Sequence, residues 1–339
     1  MANAEANAGK DGRPDVVQLP ATLFGTQEWV DGSHEPAEME PAVTAALEAG
    51  YVGVDCAEMY QTTKATAAAL AHHRDVGGAA GAPSTTFVCT KLRGLATAGI
   101  ADADLDYAAV KTRTAAHLAE LGVSRANLIL MHWPGDPDAD LAASLDHVAA
   151  ACAWAHFDAN IDRAWANMQR LRADGVTTAV GVSNFYKAAF DRLVAGLPPG
   201  GGAVPAANQI FIDATHPEYE FVAELQGNGV AVLAYRPLAF IPAIEMAGQM
   251  GDQTYAELAA AAVTAGATDV RQFVLGWLVH RGVIPVVKSR VHAATNLAAV
   301  ALGSRDDFVA PDEIFGPSEL VDMCGGSDEY AAVFKALAP

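Results

Sequence analysis

Short apolar runs alternate along this chain with longer stretches in which apolar residues recur every three or four positions. The first pattern predicts buried strands, the second amphipathic helices, and their regular alternation predicts a parallel sheet. Strand-like runs fall around 19–26 and at 51–55, 86–90, 127–132, 177–182, 204–210, 229–234 and 283–287. Helical spacing fills 41–50, where Gly50 closes the helix, and continues over 106–121 and 161–171. Eight strands alternating with helices predict an α/β fold, a (β/α)8 TIM barrel forming a single domain over residues 17–307. Residues 1–16 are small and polar and are expected to be a disordered lead-in. Residues 308–339 are expected to form a C-terminal extension or a loop over the barrel mouth. The connections at 134–161 and 238–254 are too long for simple turns and are expected to cover the same mouth.

Composition narrows the field. Hydrophobic residues make up 52% of the 339 positions, enough for a large core, and no apolar run is long enough to span a bilayer. The amino terminus lacks the basic-then-apolar order of a secretory signal. Cys56, Cys89, Cys152 and Cys324 show neither disulfide-like nor metal-ligand spacing, so a reducing, cytoplasmic setting is expected and no metal. A net charge of −19 argues against nucleic acid and against anionic membranes. With so much negative charge and only seven lysines, Lys91 and Lys288 at strand ends stand out.

Chemistry gathers at the carboxyl ends of these runs. Asp55 and Tyr60 follow the second strand, Lys91 ends the third and His132 ends the fourth. A carbonyl that accepts a hydride develops negative charge on oxygen and needs a proton donor. Free tyrosine, with a pKa of about 10, is a weak acid for that task. A nearby ammonium lowers it. Lys91 is expected to supply that charge to Tyr60, Asp55 to hold Lys91, and His132 to orient the carbonyl as a neutral donor. Trp133 beside His132 is a candidate wall for a carbonyl substrate.

Seven segments resemble the aldo-keto reductases in order. They are Asp55-Cys-Ala-Glu-Met-Tyr60, Thr90-Lys91-Leu92, Met131-His132-Trp133-Pro134, Gly181-Val-Ser-Asn-Phe185, Asn208-Gln209-Ile210 followed by His216-Pro217, Ala234-Tyr235-Arg236-Pro237-Leu238, and Pro285-Val-Val-Lys288-Ser289. The resemblance implies an NADPH-dependent reductase of aldehydes or ketones with Asp55, Tyr60, Lys91 and His132 as its tetrad. It implies a nicotinamide ring against Tyr235, with its carboxamide held by Ser183, Asn184 and Gln209. Thr26, Asp55, Arg236, Pro237 and Leu238 are further implied cofactor contacts. Lys288, Ser289, Arg290, His292 and Asn296 map to the adenosine-phosphate clamp, which favours NADPH over NADH. Trp29 and Trp133 map to substrate walls.

The chain departs from the family pattern in several places. Gln27-Glu28 follows Gly25-Thr26 where tryptophan is usual, so Trp29 is displaced. Arg236 replaces serine. Asn296 falls eight residues beyond Lys288, with Arg290 and His292 near the expected arginine. Thr62 and Thr63 follow Tyr60-Gln61 and are expected to cap the next helix. Two other readings remain: a Schiff-base aldolase with Lys91 as nucleophile, and a cofactor-binding regulatory subunit without catalysis. A small-molecule carbonyl is the expected partner, and a monomer the expected state.

Overall fold

The computed structural model describes residues 18–27, 38–77, 86–93, 95, 103–134, 160–197, 203–249, 254–289 and 291–310. Eight strands close into one barrel in sequence order, every neighbouring pair parallel. They are β1 (Leu23–Gly25), β2 (Gly53–Asp55), β3 (Phe87–Leu92), β4 (Ala126–Met131), β5 (Thr177–Ser183), β6 (Ala207–Phe211), β7 (Ala231–Tyr235) and β8 (Val283–Val287). Among the described residues ten helices surround them: α1 (Met39–Ala49), α2 (Thr63–Gly77), α3 (Tyr107–Glu120), α4 (Ile161–Ala173), α5 (Lys187–Ala195), α6 (Tyr219–Gly227), α7 (Ile241–Gln249), α8 (Thr254–Ala265), α9 (Val270–His280) and α10 (Ala293–Gly303). The expected (β/α)8 barrel is therefore the observed fold.

Local signals account for the helix ends. Gly50 caps α1 in the left-handed region at φ 109°, where its missing Cβ avoids a steric cost. The Asp106 and Asp269 side chains accept backbone N–H groups at the starts of α3 and α9. The connection after β7 differs from expectation. It carries α7, whose sequence 241–249 is apolar enough to pack as a helix against the barrel. Phe308, expected in an extension, is buried against Phe273 with ring centroids 6.1 Å apart. The lead-in 1–16, most of the 134–161 connection, Cys152, Cys324 and residues 311–339 lie outside the described residues.

The barrel has two apolar layers, set by the two-residue period of the strands. Val54, Val88, Ile129, Met131, Val180 and Val182 face the helices. Leu23, Phe87, Cys89, Leu128, Leu130, Ala179, Ala207, Leu233 and Val286 fill the interior. Large and small residues alternate there. A Cβ at Gly181 would lie 2.5 Å from the Ala207 carbonyl oxygen and 2.8 Å from Leu130 Cδ2. We therefore expect Gly181→Ala to cost about 1–3 kcal/mol by overpacking, read as a lower urea midpoint with an unchanged slope. An unchanged midpoint would show that the interior relaxes.

Candidate active site

The inward period of the strands continues past their apolar cores into polar residues. Leu23 is followed in phase by Gly25 and Gln27, Gly53 by Asp55, and Phe87 and Cys89 by Lys91. Likewise Leu128 and Leu130 lead to His132, Gly181 to Ser183, Ala207 to Gln209, Leu233 to Tyr235, and Val286 to Lys288. One stereochemical rule thus brings side chains from all eight strands to the carboxyl end of the barrel. There residues in or just past seven of the strands border a cleft of about 410 Å³, within the size range of small-molecule sites.

Asp55, Tyr60, His132, Trp133, Ser183, Asn184, Gln209, Tyr235, Arg236, Pro237, Leu238 and Lys288 line the cleft. Lys91 is fully buried at its base. Its Nζ donates to Asp55 Oδ2 at 2.5 Å, to the Cys56 carbonyl at 3.0 Å and to the Tyr60 hydroxyl at 3.2 Å. The other carboxylate oxygen of Asp55 accepts from Gln209 Nε2 at 2.8 Å. Burial alone would discharge Lys91, but the Asp55 carboxylate, with Tyr60 and Cys89 adding to it, holds the pKa of the ammonium above the ordinary lysine value.

Tyr60 corrects the electrostatic expectation. Burial pushes its pKa up to about 12, and the Lys91 ammonium pulls it down by less. The net shift is upward, because a phenolate loses more by leaving water than it gains from an ammonium already shared with Asp55. The hydroxyl therefore stays protonated at neutral pH, the form a proton donor requires.

Burial, with Lys91 assisting, holds the pKa of His132 well below its usual value, so the ring is neutral. It stacks on Trp133 with centroids 4.7 Å apart and planes 3° from parallel, and meets the Tyr60 ring edgewise at 6.0 Å. Its buried Nδ1 has no hydrogen-bond partner among the described residues.

The opposite wall is a directed chain of hydrogen bonds. The Phe211 N–H donates to the Tyr186 hydroxyl at 3.2 Å, and Tyr186 to Tyr235. Tyr235 donates to Asn184 Oδ1 at 2.9 Å, and Asn184 Nδ2 donates to the His132 carbonyl at 2.9 Å. Ser183 Oγ donates to the Gln209 carbonyl at 2.9 Å. Asn184 and Arg236 sit at φ 62° and 54°, left-handed conformations that turn the chain just past β5 and β7. Both line the cleft, where such strain is commonly kept.

The remaining expected residues are placed less uniformly. Thr26 lies under the floor, its hydroxyl donating to the Asp55 carbonyl at 3.1 Å. Lys288 Nζ donates to the Gln27 carbonyl at 2.9 Å, linking the neighbouring ends of β8 and β1. Ser289 Oγ accepts the His292 N–H at 2.9 Å ahead of α10, and His292 is exposed while Asn296 is buried. None of these three lines the cleft as Lys288 does. Trp29 and Arg290 lie outside the described residues. Thr62 and Thr63 do not act as the expected caps. Thr62 Oγ1 donates to the Thr26 carbonyl and Thr63 Oγ1 to the Tyr60 carbonyl, so both hydroxyls fasten the Tyr60 turn. Sequence reasoning assigned no site role to Gly25, Gln27, Met59, Ala239, Val286 or Val287, which also line the cleft. Strand parity was the signal that marks Gly25, Gln27 and Val286.

A closed parallel barrel thus carries a buried lysine–carboxylate pair under a tyrosine at its carboxyl end. The chain belongs to the Aldo/keto reductase family, whose model matches residues 22–311. It is 28% identical over 336 residues to the aldehyde reductase YPR1 of Saccharomyces cerevisiae, covering 92% of this chain and 93% of that protein. It is 27% identical over 310 residues to a glycerol 2-dehydrogenase (NADP(+)) of Hypocrea jecorina, covering 88% and 89%. Its fold matches the crystal structure of Bombyx mori aldo-keto reductase AKR2E4 in complex with NADP, with a TM-score of 0.63, 28% identity and coverage of 84% and 88%.

Lys91→Met should strand the Asp55 carboxylate in the floor and cost about 3–5 kcal/mol of stability. The double variant Asp55→Asn/Lys91→Met should recover part of that loss. Equal urea midpoints for wild type and Lys91→Met would contradict a buried, interacting pair.

Proposed function

We propose that this protein is an NADPH-dependent reductase of small aldehydes or ketones. The observation that carries this reading is the Tyr60 hydroxyl, held protonated at the cleft floor 3.2 Å from a Lys91 ammonium that Asp55 keeps charged. When bound, NADPH supplies the hydride. The lining suits a nicotinamide: the Tyr235 ring forms a wall, and the polar side chains of Ser183, Asn184 and Gln209 border it. Lys288 and Arg290, with Ser289, His292 and Asn296 nearby, are the residues assigned to the adenosine phosphates. Arg236 is exposed on the cleft wall, where its guanidinium suits a pyrophosphate.

Tyr60 gives its proton to the developing alkoxide, a much stronger base than phenolate. Lys91 stabilises the phenolate left behind, and Asp55 keeps Lys91 oriented. His132 donates from Nε2 to the carbonyl oxygen. Trp133 and Met59 form apolar walls for the rest of the substrate, with Trp29 a further candidate.

The raised proton affinity of Lys91 disfavours the aldolase alternative, because a Schiff-base lysine must be neutral to attack. The protonated tyrosine above Lys91 favours catalysis over a purely regulatory role. The reading extends to a cytoplasmic monomer. Its support is the burial of the free thiols Cys56 and Cys89 and the spread of the exposed large apolar residues over separate elements. Light scattering tests the monomer.

The purified protein should quench its tryptophan fluorescence more tightly with NADPH than with NADH. Tyr60→Phe should bind NADPH as wild type does and lose at least about a hundredfold in turnover of an aldehyde panel. Substantial turnover by Tyr60→Phe would remove Tyr60 as the acid, and binding of neither nucleotide would overturn the reductase reading.

A further inference from the structure

The turn from Asp55 to Tyr60 is fastened from outside the barrel by a pair of residues that none of the chemistry above uses. The Glu58 N–H donates to the Lys91 carbonyl at 2.9 Å, laying the middle of the turn along the end of β3. The Glu58 carboxylate reaches one step further. It accepts the Arg93 N–H at 3.2 Å and lies 2.9 Å from Arg113 Nε, an ion-pair contact without hydrogen-bond alignment. Arg113 closes the loop by donating from its terminal nitrogen to the Arg93 carbonyl at 2.8 Å. Both backbone polar groups of Arg93, two residues past Lys91, are therefore bound by this pair.

The platform behind Arg113 is firm. Arg113 lies on α3, one turn ahead of His117. The buried His117 ring is 2.7 Å, Nε2 to Oγ1, from Thr90, the outward-facing neighbour of Lys91 on β3. α3 is thereby anchored beside the residue that carries the ammonium, and Arg113 extends from that anchor to the turn that carries the phenol. The side chain of Glu58 is 15% exposed and that of Arg113 34%, so the pair is shielded on one side only. Most solvent-facing ion pairs add little to stability. The consequence of this one lies in what it joins.

We propose that Glu58, held by Arg113, is a positioning residue that sets the Tyr60 hydroxyl against Lys91. The inference rests on the reductase reading above. Within the turn the Tyr60 N–H closes on the Ala57 carbonyl at 3.0 Å, which shapes the turn without tying it to a strand. Cys56 is pinned by the Cys89 carbonyl and Lys91, and Tyr60 by Thr63. Between them only Glu58 ties the turn to β3 through both backbone and side chain among the described residues. Displacing a proton donor by about 1 Å can cost on the order of a hundredfold in rate, so loosening this tie acts on the chemical step.

The test is a set of variants with two independent readouts. Glu58→Ala and Arg113→Met should lower kcat by about tenfold or more. NADPH affinity and melting temperature should stay near wild type. Glu58→Gln, which keeps an acceptor for the Arg93 N–H, should fall between. Lys111→Ala removes a different ion pair from the same helix, 2.6 Å to Asp174, and should leave kcat unchanged. A crystal structure of Glu58→Ala should show the Tyr60 hydroxyl beyond hydrogen-bonding distance of Lys91 Nζ. Should Glu58→Ala fail to fold, Arg113→Met carries both readouts. An intact Tyr60–Lys91 hydrogen bond in the folded variant, with kcat unchanged, overturns the proposal. Wild-type protein that reduces no carbonyl overturns the reductase reading instead, and the crystallographic distance then decides the positioning question by itself.

Discussion

The ion pair between Asp55 and Lys91 organises the mouth of this barrel. Two charges taken out of water are tolerated only when each finds further partners, and this pair does. Gln209 bonds the second oxygen of Asp55, and the Cys56 carbonyl and Tyr60 hydroxyl take the other protons of Lys91. Those partners come from β2, β3, β6 and the turn after β2. Neutralising one buried charge thus fixes the relative position of residues far apart in sequence, and the phenol belongs to that solution.

The pair also shapes the electrostatics around it. Because Asp55 claims much of the ammonium, Lys91 cannot offset the burial of Tyr60, whose pKa rises to about 12. The same ammonium helps keep His132 neutral. The floor therefore presents a charged donor below, a protonated phenol above it and a neutral imidazole at the side. Under the proposed function, a negative charge developing on a carbonyl oxygen would meet donors already oriented.

Much of this was legible in the chain because a barrel strand obeys a strict two-residue period. Once Leu128 and Leu130 face inward, His132 must too, and the same parity carries Ser183, Gln209, Tyr235 and Lys288 to one face. Strand existence could be read from apolar runs, although β1 is shorter than its run, with only Leu23–Gly25 in the ladder. Parity says nothing of how competing terms sum, so the upward shift of Tyr60 was not visible in a lysine placed nearby. It also stops at the end of a strand. Thr62 and Thr63 looked like helix caps from their position, but their hydroxyls found the carbonyls of Thr26, just past β1, and of Tyr60 in the turn. The helix in the connection after β7 was hidden for a related reason: an apolar stretch of nine residues reads equally as loop or helix until something packs against it.

Trp133 and His132 are consecutive in sequence, and their rings lie parallel in contact. They behave mechanically as one plate. Under the proposed function, a ligand that displaced the indole would disturb the imidazole stacked on it. Poorly shaped molecules would then be refused by chemistry as well as by space: a guest that fits badly also meets a misaimed donor. Selectivity at this wall would then show in the rate at which a bound carbonyl reacts as well as in how tightly it is held.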